Sequence, residues 1–387
     1  MALATAVILS YNRQDALRRQ LLYYADKPIH LIFADGSDDD WGTGQTGSIG
    51  EMTWEYFRIS GWDTFLRRMS EACSRVKTEF MFLVDDEDCI LWTGVESAID
   101  FLTENSDHSC AGGKVGIAYH PGRRSRFKSK ELAVADWGRF SKNFSLTQDS
   151  FSERLLSVID RNRTANIYYQ VHRTELIKKF LSLSVFSSDS EKLYPIIEIL
   201  FTCSMISQGK WQMETYPYWF RYGVSIPQPA TMPKFIDEDT AKMLAELIIE
   251  FSENKFDQVS AGFSREEFME RLIKVILKRY GEFGKQAKTP RLERSKFSRV
   301  SEILLLTFMF QALIKFKNIL KLYLFAVSPS VFERIYPSER KHVSSYSKIH
   351  ASNQPKVVAE LATFDKIWTN FPDGLSKTQL KTKLDKW

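Results

Sequence analysis

Short apolar runs alternate with stretches of helical period through the first half of the chain. Thr5–Leu9, His30–Ala34, Phe80–Val84, Val115–Tyr119 and Ile167–Val171 are too short for buried helices and suit buried strands. Between them, Asp15–Tyr24, Thr64–Val76 and Gly94–Leu102 carry the apolar spacing of helices with one buried face. This rhythm predicts an α/β fold: a mostly parallel sheet with helices on both faces. Ligands of such sheets bind beyond the carboxyl ends of the strands, so the turns that follow strands are where chemistry is expected.

The pattern changes after the proline-bearing segment Ile226–Pro233. Beyond it the periodicity predicts helices over Asp239–Phe251 and Ser264–Tyr280, the second opened by the capping-box pair Ser264 and Glu267. A boundary at this point divides the chain into residues 1–232, the α/β part, and residues 233–387, a mainly helical C-terminal domain. A basic stretch, Lys285–Arg299, leads into the apolar segment Ile303–Val327. Lys315, Lys317 and Lys321 interrupt that segment and argue against a bilayer span. Two readings fit it: a core helix of the second domain, or a helix resting on a membrane surface and giving peripheral association.

Composition narrows the function classes. A chain of 387 residues is long enough for two cores. The net charge of +5 is too slight for the basic face of a nucleic-acid binder. Cys73, Cys89, Cys110 and Cys203 are far apart, with no metal or disulfide spacing, and read as buried thiols. The opening apolar run has no basic residues ahead of it and stops at Asn12 and Arg13, so it reads as a first strand, and a cytoplasmic location is the expectation.

Three strand-following turns carry candidate chemistry. Ser10-Tyr11-Asn12-Arg13 offers backbone and short polar groups for a base edge. Asp35-Gly36-Ser37-Asp38-Asp39 offers a carboxylate for a base or ribose, although such residues also build ordinary turns. The third, Asp85-Asp86-Glu87-Asp88, crowds four carboxylates at the mouth of the apolar run Phe80–Val84. Like charges so close call for a cation, and hard oxygen donors suit Mg²⁺ or Mn²⁺ with a bound diphosphate. The other reading is a solvated acidic turn ahead of the helix near Trp92.

The order of these turns resembles the GT-A glycosyltransferases, in particular the large inverting family that includes many bacterial polysaccharide and lipopolysaccharide enzymes. In that family a Ser/Thr-Tyr-Asn-Arg turn, an Asp-Gly-Ser-x-Asp turn, a helix with an Arg and an Asp-x-Asp strand end follow one another. Here they are Ser10–Arg13, Asp35–Asp39, Arg67 or Arg68, and the run ending at Asp88, and the resemblance covers residues 3 to 225.

The resemblance implies a nucleotide-sugar site in which Asn12 and Asp35 hold the base, with Ser10, Tyr11, Arg13, Ser37 and Arg68 around it. It implies that Asp85 and Asp86 meet ribose and diphosphate, and that Mn²⁺ or Mg²⁺ sits on Asp86 and Asp88 with Glu87 close behind. The register is open: aligned on the following helix, Glu87 takes the metal position. The family's proton acceptor is matched by Glu198, ahead of Gly209, without the usual second acid, and Asp189 and Glu191 are substitutes. Read from the residues themselves, Arg221 among Tyr218, Trp219, Phe220 and Tyr222 would serve the leaving phosphates while aromatics stack on sugar, and core aromatics with a surface Arg would give the same pattern. His172-Arg173 and the basic run Arg123–Lys130 are weaker candidates for the acceptor side.

The implied activity is metal-dependent, inverting transfer of a sugar from a nucleotide-diphosphate sugar to a hydroxyl of a glycan or lipid-linked saccharide. Two other classes fit less well. A nucleotidyl or phosphoryl transferase would use similar acidic strand ends, but the chain has no GxxxxGK[ST] loop. A non-catalytic saccharide- or partner-binding protein would keep the acidic cluster as a remnant.

Overall fold

The computed structural model describes residues 2–61, 63–119, 133–136, 144–160, 167–183, 197–222, 237–256, 264–278, 359–360, 363 and 366–367. Ile226–Pro233, the basic runs at 123–130 and 285–299, the segment 303–327, Asp189 and Glu191 lie outside these residues.

Ten strands form one mixed sheet. They are β1 (Ala4–Ser10), β2 (Ile29–Asp35), β3 (Thr46–Ile49), β4 (Met52–Arg58), β5 (Phe80–Asp85), β6 (Asp88–Ile90), β7 (His108–Tyr119), β8 (Ala133–Asp136), β9 (Val171–Arg173) and β10 (Lys210–Tyr222). Their order is β3-β4-β2-β1-β5-β9-β7-β10-β6, with β8 paired to β7. The block β4-β2-β1-β5 is parallel throughout. Every residue of β1 is buried, as expected of a central parallel strand covered on both sides.

The helices described are α1 (Gln14–Tyr24), α2 (Phe65–Arg75), α3 (Trp92–Glu104), α4 (Phe151–Asp160), α5 (Thr174–Leu181), α6 (Ile197–Gln208), α7 (Glu238–Phe256) and α8 (Arg265–Ile276). In α2 the buried apolar positions Leu66, Met69, Ala72 and Cys73 form one stripe, which packs on β1 and β2. The capping box is present: the Ser264 side chain accepts from the Glu267 amide while Glu267 reaches back to the Ser264 amide. Helix α7 packs on α6, and α8 on α4 and α7. Their residues Leu244, Ile248, Phe268 and Leu272 thus join the same apolar core as the sheet. All four cysteines are buried and free.

Two features differ from the sequence pattern. Ile167–Gln170 is turn and helix rather than strand, and the strand is the short β9 that follows. The hairpin of β3 and β4 was not anticipated, because Thr46–Ile49 is polar and almost wholly exposed and carries no apolar alternation. Its two-residue link is closed by Gly50, whose φ of 56° a side chain rarely adopts. Among the described residues, no helix is long and apolar enough to cross a membrane.

Candidate functional site

The parallel register places the ends of β1, β2 and β5 side by side: Ser10 is opposite Asp35, and Leu9 is opposite Asp85. All three turns singled out in the sequence therefore meet at one edge of the sheet, beyond the carboxyl ends of its central strands. This is the place an open α/β sheet offers a ligand.

The first two turns are tied to each other. Asn12 has a φ of 55°. That left-handed turn lets its amide donate to Ser37 Oγ at 2.7 Å and its side chain exchange two hydrogen bonds with Asp38, each of 3.0 Å. Asp35 is fully buried and accepts from the Ser37 amide at 3.0 Å, Ser37 Oγ at 2.5 Å and Tyr56 Oη at 2.7 Å. Arg58 donates through Nε to the Ser37 carbonyl at 2.7 Å and also bonds the Asp38 carbonyl. Tyr56 and Arg58 lie on β4, which the apolar pattern did not reveal, and no other sequence signal marked them.

Arg68 lies beneath this pair of turns with 1% exposure. Its Nη1 donates to the carbonyls of Ser10 at 2.5 Å and Ala34 at 3.1 Å, and its Nε to Thr64 Oγ1 at 3.2 Å. It fastens the ends of β1 and β2 from inside, while Arg67 is exposed.

The acidic cluster is divided by burial. Asp86 and Asp88 are 3% and 1% exposed, whereas Asp85 and Glu87 are partly open. Asp86 accepts from Ser10 Oγ at 2.8 Å and pairs with Arg13 Nη1 at 3.0 Å. The same guanidinium lies 3.1 Å from Glu87. Asp88 accepts from Trp219 Nε1 at 2.8 Å. Gln20 of α1 holds the backbone of the loop, donating to the carbonyls of Asp86 at 3.2 Å and Asp88 at 2.6 Å.

Burial pushes the Asp86 carboxyl up to about 6, against the pull of Arg13 and Ser10 in the other direction. Burial works against the Arg13 charge as well, but the attraction of Asp86 and Glu87 outweighs it and the guanidinium is raised. Asp85 has one oxygen engaged, accepting from Tyr169 Oη at 2.8 Å.

Glu198 sits in the first turn of α6 and is half-buried. Burial and then the charges of Asp85, Glu198 and Asp88 raise the Tyr169 phenol well above its ordinary range. Arg221 is placed by its backbone, in register with Asp88 across the β6–β10 pair. Tyr218, Trp219 and Phe220 are buried, so they brace the site from within instead of presenting faces to a sugar. Tyr11, in the first turn, is half-buried.

His172 and Arg173 are structural. His172 is fully buried with Nε2 2.8 Å from the Ile167 carbonyl, and Arg173 donates to the carbonyls of Leu102, Asn105 and His108 around the end of α3. Among the described residues, no three Asp, Glu, His or Cys side chains converge closely enough to enclose a metal ion.

No family model matches the chain, and no curated protein matches it. Among solved structures, Staphylococcus aureus TarS is similar at 12% identity and a TM-score of 0.46, over 75% of this chain and 46% of TarS. The chain thus spans less than half of that protein. The TarS fragment 1–349 was solved with UDP, at 11% identity and a TM-score of 0.45, and with UDP-GlcNAc, at 10% and 0.46. Both of these matches cover 97% of this chain and 93% of the fragment. At such values no residue role is carried across, and the functional reading rests on the site itself.

Proposed function

We propose that this chain is a glycosyltransferase that binds a nucleotide-diphosphate sugar at the joined ends of β1, β2 and β5 and transfers its sugar to a hydroxyl of a glycan or lipid-linked saccharide. The observation that carries this reading is the convergence of Ser10–Arg13, Asp35–Asp39 and Asp85–Asp88, distant in sequence, into one hydrogen-bonded rim. A plain acidic turn would need no such ties to the end of β1, itself bonded to the turn after β2. The UDP and UDP-GlcNAc complexes of TarS name the donor class to try first.

In this reading the Asp35 and Asn12 side holds base and ribose, and the acidic side holds diphosphate. The donor set suits Mn²⁺ or Mg²⁺, which usually take one or two carboxylates and complete their shell with phosphate oxygens and water. Asp85 and Glu87, the more exposed members of the cluster, are the carboxylates we assign to that task, while the buried Asp86 and Asp88 shape the loop. A bound ion would supply neutralisation of the charge that develops on the departing diphosphate.

The residues of the chain do the rest. Arg13 limits repulsion within the cluster and is near enough to meet a phosphate in exchange for Glu87. Glu198, in the first turn of α6, is the proposed proton acceptor. The acceptor oxygen bonds to the anomeric carbon as the bond to the diphosphate breaks, the electron pair leaves with the nucleoside diphosphate, and the hydroxyl proton passes to Glu198. Attack from the face opposite the diphosphate gives inversion.

A thermal-shift screen of nucleotides with and without Mn²⁺ tests the donor site. A nucleoside diphosphate at a hundred times its Kd adds about 2.7 kcal/mol to folding and raises the melting temperature. No shift with any nucleoside diphosphate would remove the reading.

A further inference from the structure

Tyr169 was not marked by any sequence motif, yet its hydroxyl is the group that holds the open carboxylate of the acidic cluster. It donates to Asp85 Oδ2 at 2.8 Å. Its ring lies against Trp219, with centroids 4.1 Å apart and planes inclined by 33°, and against Tyr168 edge-on at 5.0 Å. Its backbone carbonyl accepts from Tyr218 Oη at 3.0 Å. Ring and main chain are therefore fixed, and the phenol has little freedom to turn away from Asp85.

The same bracing reaches the second half of the cluster. Trp219, fully buried, donates its indole N–H to Asp88 Oδ2 at 2.8 Å. One aromatic pair thus grips the acidic loop at both ends, Asp85 through Tyr169 and Asp88 through Trp219.

We propose that Tyr169 is a positioning residue that orients Asp85 toward the donor's diphosphate and its cation. A carboxylate free to rotate would spread its second oxygen over several directions. The Tyr169 bond occupies one oxygen and aims the other, the kind of outer hydrogen bond that tunes metal ligands. This inference rests on the donor site described above.

The test is calorimetric titration of the intact protein with UDP, with and without saturating Mn²⁺, for wild type and Tyr169→Phe. The substitution removes only the hydroxyl and keeps the ring on Trp219. A hydrogen bond to a charged group corresponds to a loss of about tenfold or more in the Mn²⁺-linked affinity. UDP affinity without metal should stay at its wild-type value, while the melting temperature falls with the loss of the buried hydrogen bond.

A second arm places Tyr169→Phe in an Asp85→Asn background, where it should have no further effect on Mn²⁺-linked binding. An unchanged Mn²⁺-linked affinity in Tyr169→Phe, equal losses with and without metal, or a full additional loss in the Asp85→Asn background each overturns the inference while leaving the donor site intact. Wild-type protein that binds no UDP in either condition overturns the donor site itself and this inference with it.

Discussion

The guanidinium of Arg68 occupies the space a side chain on Gly36 would need: a Cβ there would lie 2.5 Å from Arg68 Cζ. Glycine at the end of β2 and the buried arginine of α2 are thus one device, which binds the turns after β1 and β2 to each other from below.

From this it follows that Gly36→Ala and Arg68→Met damage the same feature. The first drives the guanidinium out, and the second leaves the carbonyls of Ser10 and Ala34 short of a donor. Each should destabilise the protein by about 3 kcal/mol in urea unfolding, through overpacking or lost buried bonds. Because both act on one guanidinium, the double variant should lose clearly less than the sum.

Arg13 and Asp86 give a pH-dependent prediction. Burial already raises Asp86 to about 6 from an ordinary 3.8, and Arg13 pulls it back. A carboxyl raised in the folded state binds its proton more tightly there than in the unfolded chain. Its stability contribution is present below 3.8 and is lost as pH rises through about 6. Arg13→Gln should raise Asp86 further and cost about 2 to 3 kcal/mol at alkaline pH, with a smaller loss in acid. Adding Asp86→Asn should remove most of that pH dependence, as followed by urea unfolding across the range.

Glu360 ties a distant part of the chain to the base of the site. Its carboxylate accepts from the Thr93 amide at 3.1 Å and from Thr93 Oγ1 at 2.7 Å, in the first turn of α3, with Lys27 3.8 Å away. That turn follows directly on β6 and the acidic cluster. Burial raises the Glu360 carboxyl, so the proton is held more tightly in the folded state. Glu360→Ala should cost about 1 to 2 kcal/mol in thermal unfolding, the loss of a helix cap. Glu360→Gln keeps an acceptor for Thr93 and should cost less, and its standing relative to wild type should improve as pH rises.

His172 sets an acid limit. Burial lowers its imidazole from an ordinary 6.5 to about 4. The unfolded chain therefore takes up a proton that the folded one refuses, and stability falls as pH drops from 6.5 toward 4, by about 3 kcal/mol over the window. His172→Gln should flatten this part of the stability profile, and an unchanged slope would assign the acid lability to other groups.

How much of this was legible in the sequence depends on the residue. The strands at Ala4–Ser10, Ile29–Asp35 and Phe80–Asp85 are continuous apolar runs ending in polar turns, and reading them took only the pattern. The three turns followed, since the ends of parallel neighbours must lie together. Burial within the acidic cluster was not legible: four adjacent carboxylates look alike until the loop is held by Arg13 and Gln20 of one segment and Trp219 of another, both distant in sequence. Tyr56 and Arg58 were hidden because their strand pairs with an exposed, polar edge strand. Tyr169 was hidden because its role comes from tertiary contacts with Asp85 and Trp219, which no local spacing encodes.

The central claim is sugar transfer from a nucleotide donor held at this rim. Its most direct measurement is release of nucleoside diphosphate by the purified chain from a panel of nucleotide sugars with Mn²⁺, beside Asp85→Asn and Glu87→Gln. The account predicts turnover of one donor class, lost on chelation and reduced by about a hundredfold or more in each variant. Undiminished turnover in both variants, or no turnover of any nucleotide sugar with saccharide acceptors present, would contradict it.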